Sequence, residues 1–420
     1  MDFALGERQQ AVADLAAEVL TAEDPWKDLA RAGLLDVSPP DGLGVLEVAV
    51  LLTEIGRRAP SMQALATLMT GALPLARWGR LDLLPAVASG ELLLTSALRE
   101  PPQGPATSVA DGTISGLKIG VPYAAQSHLL LVPALTDAVI MASSGHIAPE
   151  TGHDHGVAMV RPDAEGVRVI RTPSSSGEPE YAVQLDRAPV EGILGEADCA
   201  TDLYQLAIAG ACALADGAVA GALALTRDHV ASREQFGRPL AAFQAVSQQI
   251  ADVYIASRTM HLAALSACWR LAEGRDAAAD LEELAVAAAC ALLDGAVAGA
   301  LTLTRDHVAT RRQFGRPLAE FQAVSQQIAD VYIASRTMHL ATQSACWRVA
   351  TDRDPGADVR VAGYWCAEQA VKAVRHCHHL HGGLGMDVTY PLHRFSALVT
   401  DLTRYLGGAE YQLEHQCSST

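Results

Sequence analysis

Aromatic residues are scarce in this chain, at 5 % of 420 residues, and basic residues are outnumbered by acidic ones, 31 to 48. Ala and Leu dominate instead, which favours closely packed helices and argues against an all-β fold. The net charge of −17 argues against nucleic acid or an anionic membrane as the main partner, because both require a basic face. It does not exclude a small polyanion, which a few local Arg residues can hold.

Export and redox signals are also missing. Residues 1–7 lack the basic and apolar segments of a secretory signal. The 8 cysteines form no Cys-x-x-Cys pair. We therefore expect a cytoplasmic protein with reduced thiols rather than a disulfide framework.

Two Ala-rich stretches, residues 206–225 and 284–303, are apolar over the length of a membrane-spanning helix. Each has an Asp near its middle, Asp216 and Asp294. A charged residue is costly inside a bilayer, so we interpret both stretches as buried helices of a protein without a membrane partner. Each stretch also carries two Gly residues four positions apart, which predicts tight helix crossings.

A long internal repeat follows the middle of the chain. Leu206–Ala272 recurs as Leu284–Ala350, with 57 of 67 positions identical. This similarity indicates a recent tandem duplication rather than an old solenoid. Each copy predicts a helix, a short loop at the Gly-x-Pro break, and a second helix. In copy one, the apolar stripe of the second helix consists of Val246, Ile250 and Val253.

The element order predicts a mainly α protein with a β middle domain. Helical periodicity runs through the N-terminal region, for example at Leu43, Leu46, Ala49, Val50 and Thr53, with Glu47 and Glu54 off to one side. Three β-rich runs follow between Gly, Pro and Ser clusters: 129–132, 138–141 and 166–170. The predicted domains are 1–88 (helical), 89–197 (a small β-barrel) and 198–420 (a helical bundle containing repeats 206–283 and 284–352).

Several strings in this order resemble the acyl-CoA dehydrogenase family along nearly the whole chain. Suggestive N-terminal strings are 29–35 and 52–57. More specific are Arg-x-x-Phe-Gly-x-Pro-Leu-x-x-Phe-Gln, at Arg233–Gln244 and again at Arg311–Gln322, and His-Gly-Gly-Leu-Gly at His381–Gly385.

The resemblance implies FAD as the cofactor, with these motifs holding the ADP part of an FAD bound mainly by a neighbouring subunit. A guanidinium pairs bidentately with phosphate, and Gly lets the backbone approach a pyrophosphate. Taken singly, an Arg at a helix end is more often a solvated charge, and Gly-Gly more often ends a helix. The implied cofactor residues are Arg311, Gln313, Phe314, His379, Gly382, Gly383 and Gly385, with Arg233, Gln235 and Phe236 as the alternative copy.

The family's catalytic base is missing. Family members remove an α-proton of an acyl-CoA thioester with a Glu, usually in a Tyr-Glu-Gly string, and here that string is Tyr405-Leu406-Gly407. The family's other Glu position falls on Ala207 and Ala285. Glu282 and Glu283 lie near Ala285, and we interpret them as a solvated first helical turn.

The flavin-facing strings of the β-domain also depart from the family. Its Thr-Glu-Pro-x-x-Gly-Ser string reads Leu98–Gly104 here, and its Trp-Ile-Thr string reads Gly120–Pro122. The Gln before the glycine loop is His379. The chain thus keeps the residues that serve a neighbour's FAD and lacks those that would serve its own.

This pattern resembles the base-lacking subunit of the heteromeric acyl-CoA dehydrogenases of steroid-degrading actinobacteria, most clearly at His378–Pro391. The resemblance implies an acyl-CoA substrate, in that subgroup a steroid side-chain CoA ester, and a second, Glu-bearing subunit in a heterodimer or heterotetramer. Two alternatives stay open: a non-catalytic scaffolding protein of the same fold, and an active homomer with an unrecognised base.

Two further questions concern the repeat and the histidines. Copy two carries Arg312 where copy one has Glu234, which favours Arg311 beside a pyrophosphate, although a hybrid of one helix from each copy would also pair the stripes. The histidines near the C-terminus do not match a zinc pattern such as His-Glu-x-x-His, so we predict no metal site. They are His376, His378, His379 and His381.

Overall fold

A computed structural model describes residues 5–101, 105–136, 155–174, 177–195, 198–235, 237–274, 278–350, 356–387 and 389–418. The chain forms two compact units. The first contains Met1–Ser257 and Ala264–Ala278, and the second contains Arg258–Ala263 and Ala279–Thr420.

The N-terminal part of the first unit is helical, as the periodicity predicts. Of the predicted stripe, Leu43, Ala49 and Val50 are buried, while Leu46 and Thr53 are half-buried. Glu47 of helix α3 (Val45–Arg58) is buried as well. The Glu47 carboxylate accepts hydrogen bonds from Gly44 N at 3.0 Å and from Gln9 Nε2 at 2.7 Å, so it caps the start of α3 instead of facing solvent. The helices are α1 (Glu7–Val19), α2 (Pro25–Arg31), α3 (Val45–Arg58), a π-helical segment (Leu65–Ala72) that continues into α4 (Leu73–Arg77), and α5 (Leu84–Ala88).

A sheet follows, with eight strands among the residues that the structure describes. Two of the β-rich runs are confirmed as strands β4 and β6, and the run at 138–141 lies outside the described residues. The strands are β1 (Leu94–Ser96), β2 (Ser108–Ala110), β3 (Thr113–Pro122), β4 (Leu129–Leu135), β5 (His155–Val160), β6 (Val167–Thr172), β7 (Glu180–Pro189) and β8 (Gly192–Leu194). Their order in the sheet is β6-β7-β3-β2-β4-β5-β8, and β1 pairs with β4.

The first helix of copy one, α6 (Asp198–Ser232), crosses α3 at very short range. A Cβ on Gly217 would collide with the Thr53 carbonyl oxygen, and a Cβ on Gly221 with the Arg57 carbonyl oxygen. The Gly pair is therefore required for this crossing, in line with the tight packing that its spacing predicts.

The second unit is built around the second copy and the chain that follows it. Its core contains Leu293 and Val297 from α8 (Ala278–Thr310) and Val331 from α9 (Gln322–Ala350). Further apolar residues come from α10 (Gly356–His381) and α11 (Leu392–Tyr405). The remaining helices are α7 (Gln244–Ala272), α8 (Ala278–Thr310), α9 (Gln322–Ala350), α10 (Gly356–His381), α11 (Leu392–Tyr405) and α12 (Gly408–Ser418).

Equivalent residues of the two copies differ in burial. Val331 of α9 is 1 % exposed, whereas Val253, its equivalent in α7, is 46 % exposed. Leu303 packs against the core of the second unit, whereas its equivalent Leu225 is exposed. In copy two, Val331 of the predicted stripe is buried and Ile328 packs against the core, whereas in copy one Val253 is exposed and Val246 and Ile250 are half-buried.

Helices α6 and α8 are long and apolar enough to cross a membrane by length and composition. In each, about half of the most apolar window is buried inside the protein, at 50 % and 56 %. Asp216 of α6 is buried, and Asp294 of α8 forms a hydrogen bond with His339. These features agree with core helices of a globular protein.

Candidate functional site

The Arg-x-x-Phe-Gly string of copy two forms a small hairpin at the end of α8. Its strands are β11 (Arg312–Gln313) and β12 (Arg316–Pro317), joined by Phe314 and Gly315 with φ values of 51° and 81°. Two positive φ values are typical of the tightest hairpin turn. The turn leaves the Phe314 side chain 91 % exposed, so an apolar ring and the neighbouring Arg side chains face solvent.

Copy one repeats this hairpin in the first unit with β9 (Glu234–Gln235) and β10 (Arg238–Pro239). The guanidinium of Arg238 lies 4.0 Å from the centre of the Phe243 ring, as the guanidinium of Arg316 does from Phe321 in copy two. These cation–π contacts fix the base of each hairpin. Arg233 and Gln235 are exposed, and Phe236 lies outside the described residues.

The glycine string forms a short 3₁₀ segment, Gly382–Met386, directly after α10. Gly382 has a φ of 56°, and at both Gly382 and Gly383 a Cβ would meet nothing within 4 Å. Gly385 is buried, and a Cβ there would lie 3.1 Å from the His378 carbonyl oxygen. Gly382 and Gly383 therefore leave open space beside the backbone, while a Cβ on Gly385 would crowd its neighbours. His379 is exposed at the edge of this loop.

Two histidines join the copy-two hairpin to the glycine loop within the second unit. The His307 and His381 rings stack with centres 4.5 Å apart and planes 22° from parallel. His381 Nδ1 lies 2.8 Å from the Cys377 carbonyl oxygen, and its Nε2 lies 3.1 Å from the Tyr390 hydroxyl. Burial is the first cause that lowers the pKa of both imidazoles, so the pair is held in its neutral form.

Leu406 is only 2 % exposed and belongs to the apolar core of the second unit. Its backbone N–H donates to the Leu402 carbonyl at 3.0 Å, and its carbonyl accepts from Gln412 Nε2 at 2.7 Å. A hydrocarbon side chain with both backbone groups satisfied thus fills this position. Ala285 is also buried.

The two Glu residues near Ala285 are placed differently from the prediction. Helix α8 begins at Ala278, so Glu282 and Glu283 lie beyond its first turn. Glu282 is exposed, and Glu283 is half-buried.

Comparison with known proteins now bears on these features. The family described as Acyl-CoA dehydrogenase, C-terminal domain matches residues 206–291 and, separately, residues 280–416. Acyl-CoA dehydrogenase FadE28 of Mycobacterium tuberculosis is 38 % identical over 436 residues and covers 100 % of both chains. The chain belongs to the acyl-CoA dehydrogenase family.

Solved structures of this family share the fold. The Tcur3481-Tcur3483 steroid ACAD superposes with a TM-score of 0.60 at 26 % identity, covering 99 % of this chain and 98 % of that one. The ChsE4-ChsE5 complex from Mycobacterium tuberculosis gives a TM-score of 0.50 at 23 % identity, covering 99 % and 97 %. The expected acyl-CoA dehydrogenase fold is confirmed, and FAD is the cofactor of this family.

The exposed groups of the second unit fit the ADP side of FAD. Arg311 and Arg312 carry charge that suits a pyrophosphate, Phe314 offers a ring, and Gly382 and Gly383 leave their backbone open. Among the residues that the structure describes, no group of three or more His, Cys, Asp or Glu side chains is arranged to hold a metal ion.

The strand ends that would meet the isoalloxazine fit poorly. Pro122 stands where the family has a hydroxyl side chain, has no N–H to donate, and its carbonyl already accepts from Thr95 Oγ1 at 2.7 Å. The Leu98 carbonyl accepts from the Tyr204 hydroxyl at 2.8 Å. These groups are satisfied inside the protein, and Gln103 and Gly104 lie outside the described residues.

The buried ion pair between Lys118 and Glu100 in this region was not predicted from the sequence. Lys118, on the same strand β3 as Pro122, is almost fully buried and pairs with Glu100 at 2.7 Å. Burial lowers the pKa of Lys118, against the opposing effect of Glu100. Only the string Gly116-Leu117-Lys118-Ile119, with a charge inside a β-rich run, could have signalled it.

Proposed function

We propose that this chain is the base-lacking subunit of a heteromeric FAD-dependent acyl-CoA dehydrogenase. The carrying observation is the contrast between Leu406, a buried hydrocarbon at the family's base position, and Arg311, an exposed cation in a retained phosphate-binding motif. A buried Leu cannot take a proton, so the carboxylate has to come from the partner. The partner is a second acyl-CoA dehydrogenase-like subunit in a heterodimer or heterotetramer.

The reaction is the α,β-desaturation of an acyl-CoA thioester. The partner's carboxylate takes the α-proton, and bound FAD supplies the acceptor for the hydride that leaves the β-carbon. In this chain, Arg311, Gln313 and Phe314 and the loop of Gly382, Gly383 and Gly385 would hold the ADP side of FAD, the Arg by its charge and the glycines by their open backbone. His379 lies at the edge of that loop.

Copy two, rather than copy one, supplies this half-site. Arg312 adds a second positive charge next to Arg311, whereas copy one places Glu234 next to Arg233. An exposed ion pair contributes about 0.2–1 kcal/mol, so replacing the repulsion of a Glu by the attraction of Arg312 favours copy two. The His307–His381 stack also ties copy two to the glycine loop.

The substrate class follows from the resemblance to steroid side-chain enzymes. The sequence string His378–Pro391 and the similarity to a structure named a steroid ACAD support a steroid side-chain CoA ester. A cytoplasmic location agrees with this metabolic role.

We also propose that the chain divides into three domains, residues 1–88, 89–197 and 198–420.

Co-expression with a Glu-bearing family member tests the function. The purified complex should be yellow, with one FAD for each pair of chains, and should desaturate a steroid side-chain CoA ester in the presence of an electron acceptor. The chain purified alone should be colourless and inactive. A chain that binds FAD stoichiometrically and desaturates a thioester without a partner would contradict the proposal and favour a homomer with another base.

A second function, a non-catalytic scaffold, is favoured by one observation. Copy one exposes Leu225 and Val253, whose equivalents in copy two pack in or against the core of the second unit, and exposed apolar side chains can mediate protein contacts. Deletion of residues 206–283 distinguishes the two functions. If the chain is an enzyme subunit, the complex should still bind flavin after the deletion, because copy two can replace copy one next to α3. If the chain is a scaffold, the complex should bind no flavin before or after the deletion, and the deletion should abolish partner binding.

A further inference from the structure

His307 lies in the last turn of α8, four residues before Arg311. The Arg311 backbone N–H donates to the His307 carbonyl at 2.8 Å, so the position of His307 sets the start of the hairpin. The hairpin then closes through the Leu318 N–H, which donates to the Arg311 carbonyl at 2.9 Å. A displacement of His307 would therefore move the guanidinium-bearing residue with it.

His381 occupies the corresponding place on the other motif. It is the last residue of α10, immediately before Gly382, and its side chain is 5 % exposed. A Cβ on Gly385 would lie 3.2 Å from His381 Cβ, so the loop folds back against this imidazole. The ring stack between His307 and His381 thus joins two segments that are 74 positions apart in the chain.

Copy one provides an internal comparison. His229 stands in the same Arg-Asp-His-Val string as His307, with the same spacing to Arg233, yet it is exposed, whereas His307 is half-buried. The neighbouring Thr226 is exposed as well, whereas its equivalent Thr304 is fully buried. The difference lies in the surroundings, not in the local sequence.

We propose that His307 is a positioning residue that holds the copy-two hairpin and the glycine loop as one binding surface for a diphosphate-containing nucleotide. This inference rests on the proposed function, since that function names the ligand of both motifs. Stacking fixes the relative position of Arg311 and Gly382 before the ligand arrives, which lowers the ordering cost of binding. Copy one has the Arg motif without this contact, and it does not take part in binding the nucleotide.

The stack requires neutral rings. His381 Nδ1–H donates to the Cys377 carbonyl, so Nε2 accepts from the Tyr390 hydroxyl in the neutral form. Both imidazoles have a pKa below the usual 6.5, so the stabilisation from the stack is complete above pH 6.5 and is lost as the pH falls through the lowered values. The titratable or charged groups that face the pair are Arg311, His378, Cys377, Tyr390 and, acting on Tyr390, Asp306.

The first test needs no cofactor. Amide hydrogen exchange of the full chain is compared among the natural protein, His307→Ala, His229→Ala and His307→Phe. We expect His307→Ala to speed exchange at least about tenfold in segments 311–318 and 382–387, because local opening becomes easier. His229→Ala should leave both segments unchanged, and His307→Phe, which keeps a flat ring, should restore protection. Equal protection in His307→Ala and the natural protein would overturn the inference.

The second test measures FAD binding in the complex with the partner subunit, by the change in flavin fluorescence. His307→Ala should weaken binding by about tenfold or more, His229→Ala by less than about twofold, and His307→Phe should bind well with a smaller loss between pH 7.5 and 5.5. Equal affinities for the two Ala variants would overturn the positioning role. If the natural complex binds no FAD while His307→Ala still loosens both segments, the proposed function fails and the structural role of the stack stands.

Discussion

Asp294 Oδ2 and His339 Nδ1 lie 2.8 Å apart and join the two helices of the second repeat copy. Burial raises the pKa of Asp294, while His339 acts in the opposite direction. The pair is a polar contact between two helices that otherwise pack mostly through Ala, Val and Leu side chains.

Replacement of His339 by Ala should destabilise the second unit. Asp294 would keep its partly buried carboxylate without this partner, at a cost of about 1–3 kcal/mol. Urea unfolding followed by circular dichroism measures the change. Gln343→Ala, an exposed position on the same helix, is the control and should change stability by less than about 0.5 kcal/mol. Equal midpoints for the two variants would show that the hydrogen bond contributes nothing to stability.

The same Gly→Ala change should have opposite effects in the two repeat copies. In Gly217→Ala, the added methyl group would collide with the Thr53 carbonyl, and the resulting shift of α6 should cost about 1–3 kcal/mol. In Gly295→Ala, the methyl group would meet nothing within 4 Å, and the better helix propensity of Ala should stabilise by up to about 1 kcal/mol. Thermal or urea unfolding of the two variants checks the contrast, and similar effects in both would contradict the assignment of α6 to the close crossing.

Leu406→Glu should not create an active homomer. The new carboxylate would be buried in the apolar core, with a loss of roughly 3–5 kcal/mol near neutral pH. Its folded pKa would lie above the unfolded value, so the loss should shrink as the pH falls and the group is protonated. Unfolding at pH 7.5 and pH 5.5 measures this effect, with Leu406→Met as a control that costs less than about 1.5 kcal/mol. Natural stability together with desaturation by the variant alone would refute the buried placement.

Arg312→Glu should weaken flavin binding by the complex, because it gives copy two the charge that copy one carries at Glu234. A loss of about tenfold or more corresponds to about 1.4 kcal/mol, which is modest for a charge reversal beside a pyrophosphate. The measurement is FAD titration in low and moderate salt, since screening should reduce the effect. Glu234→Arg is the matched change in copy one and should leave the affinity unaltered. Improved binding in Glu234→Arg would point to copy one instead.

The order of the elements could be predicted from the sequence because each signal is local. The Arg-x-x-Phe-Gly and glycine strings indicate the family, and a short continuous apolar run between turn residues predicts strands such as β4. Glu47 caps α3 through Gly44, three residues before it, but its second partner Gln9 lies on another helix, and for this reason its burial was not predicted. Such a partner cannot be found from periodicity.

The fate of the two copies could not be predicted, and the reason is physical. Val253 and Val331 have the same neighbours in sequence and therefore the same local preferences, yet only Val331 is buried. Their difference is set by tertiary neighbours, which an identical string cannot encode. The stack of His307 on His381 could not be predicted for the same reason, because the identical string around His229 leaves that histidine exposed.

The difference in burial between α7 and α9 also affects how the protein is made. On the ribosome, copy one emerges before copy two, and the C-terminal helices α10, α11 and α12 emerge last. When they appear, they meet two almost interchangeable docking faces, of which only the later one is native. The ten positions at which the copies differ must therefore determine which copy the C-terminal helices pack against. Refolding should include a slowly folding population in which these helices have first packed against copy one.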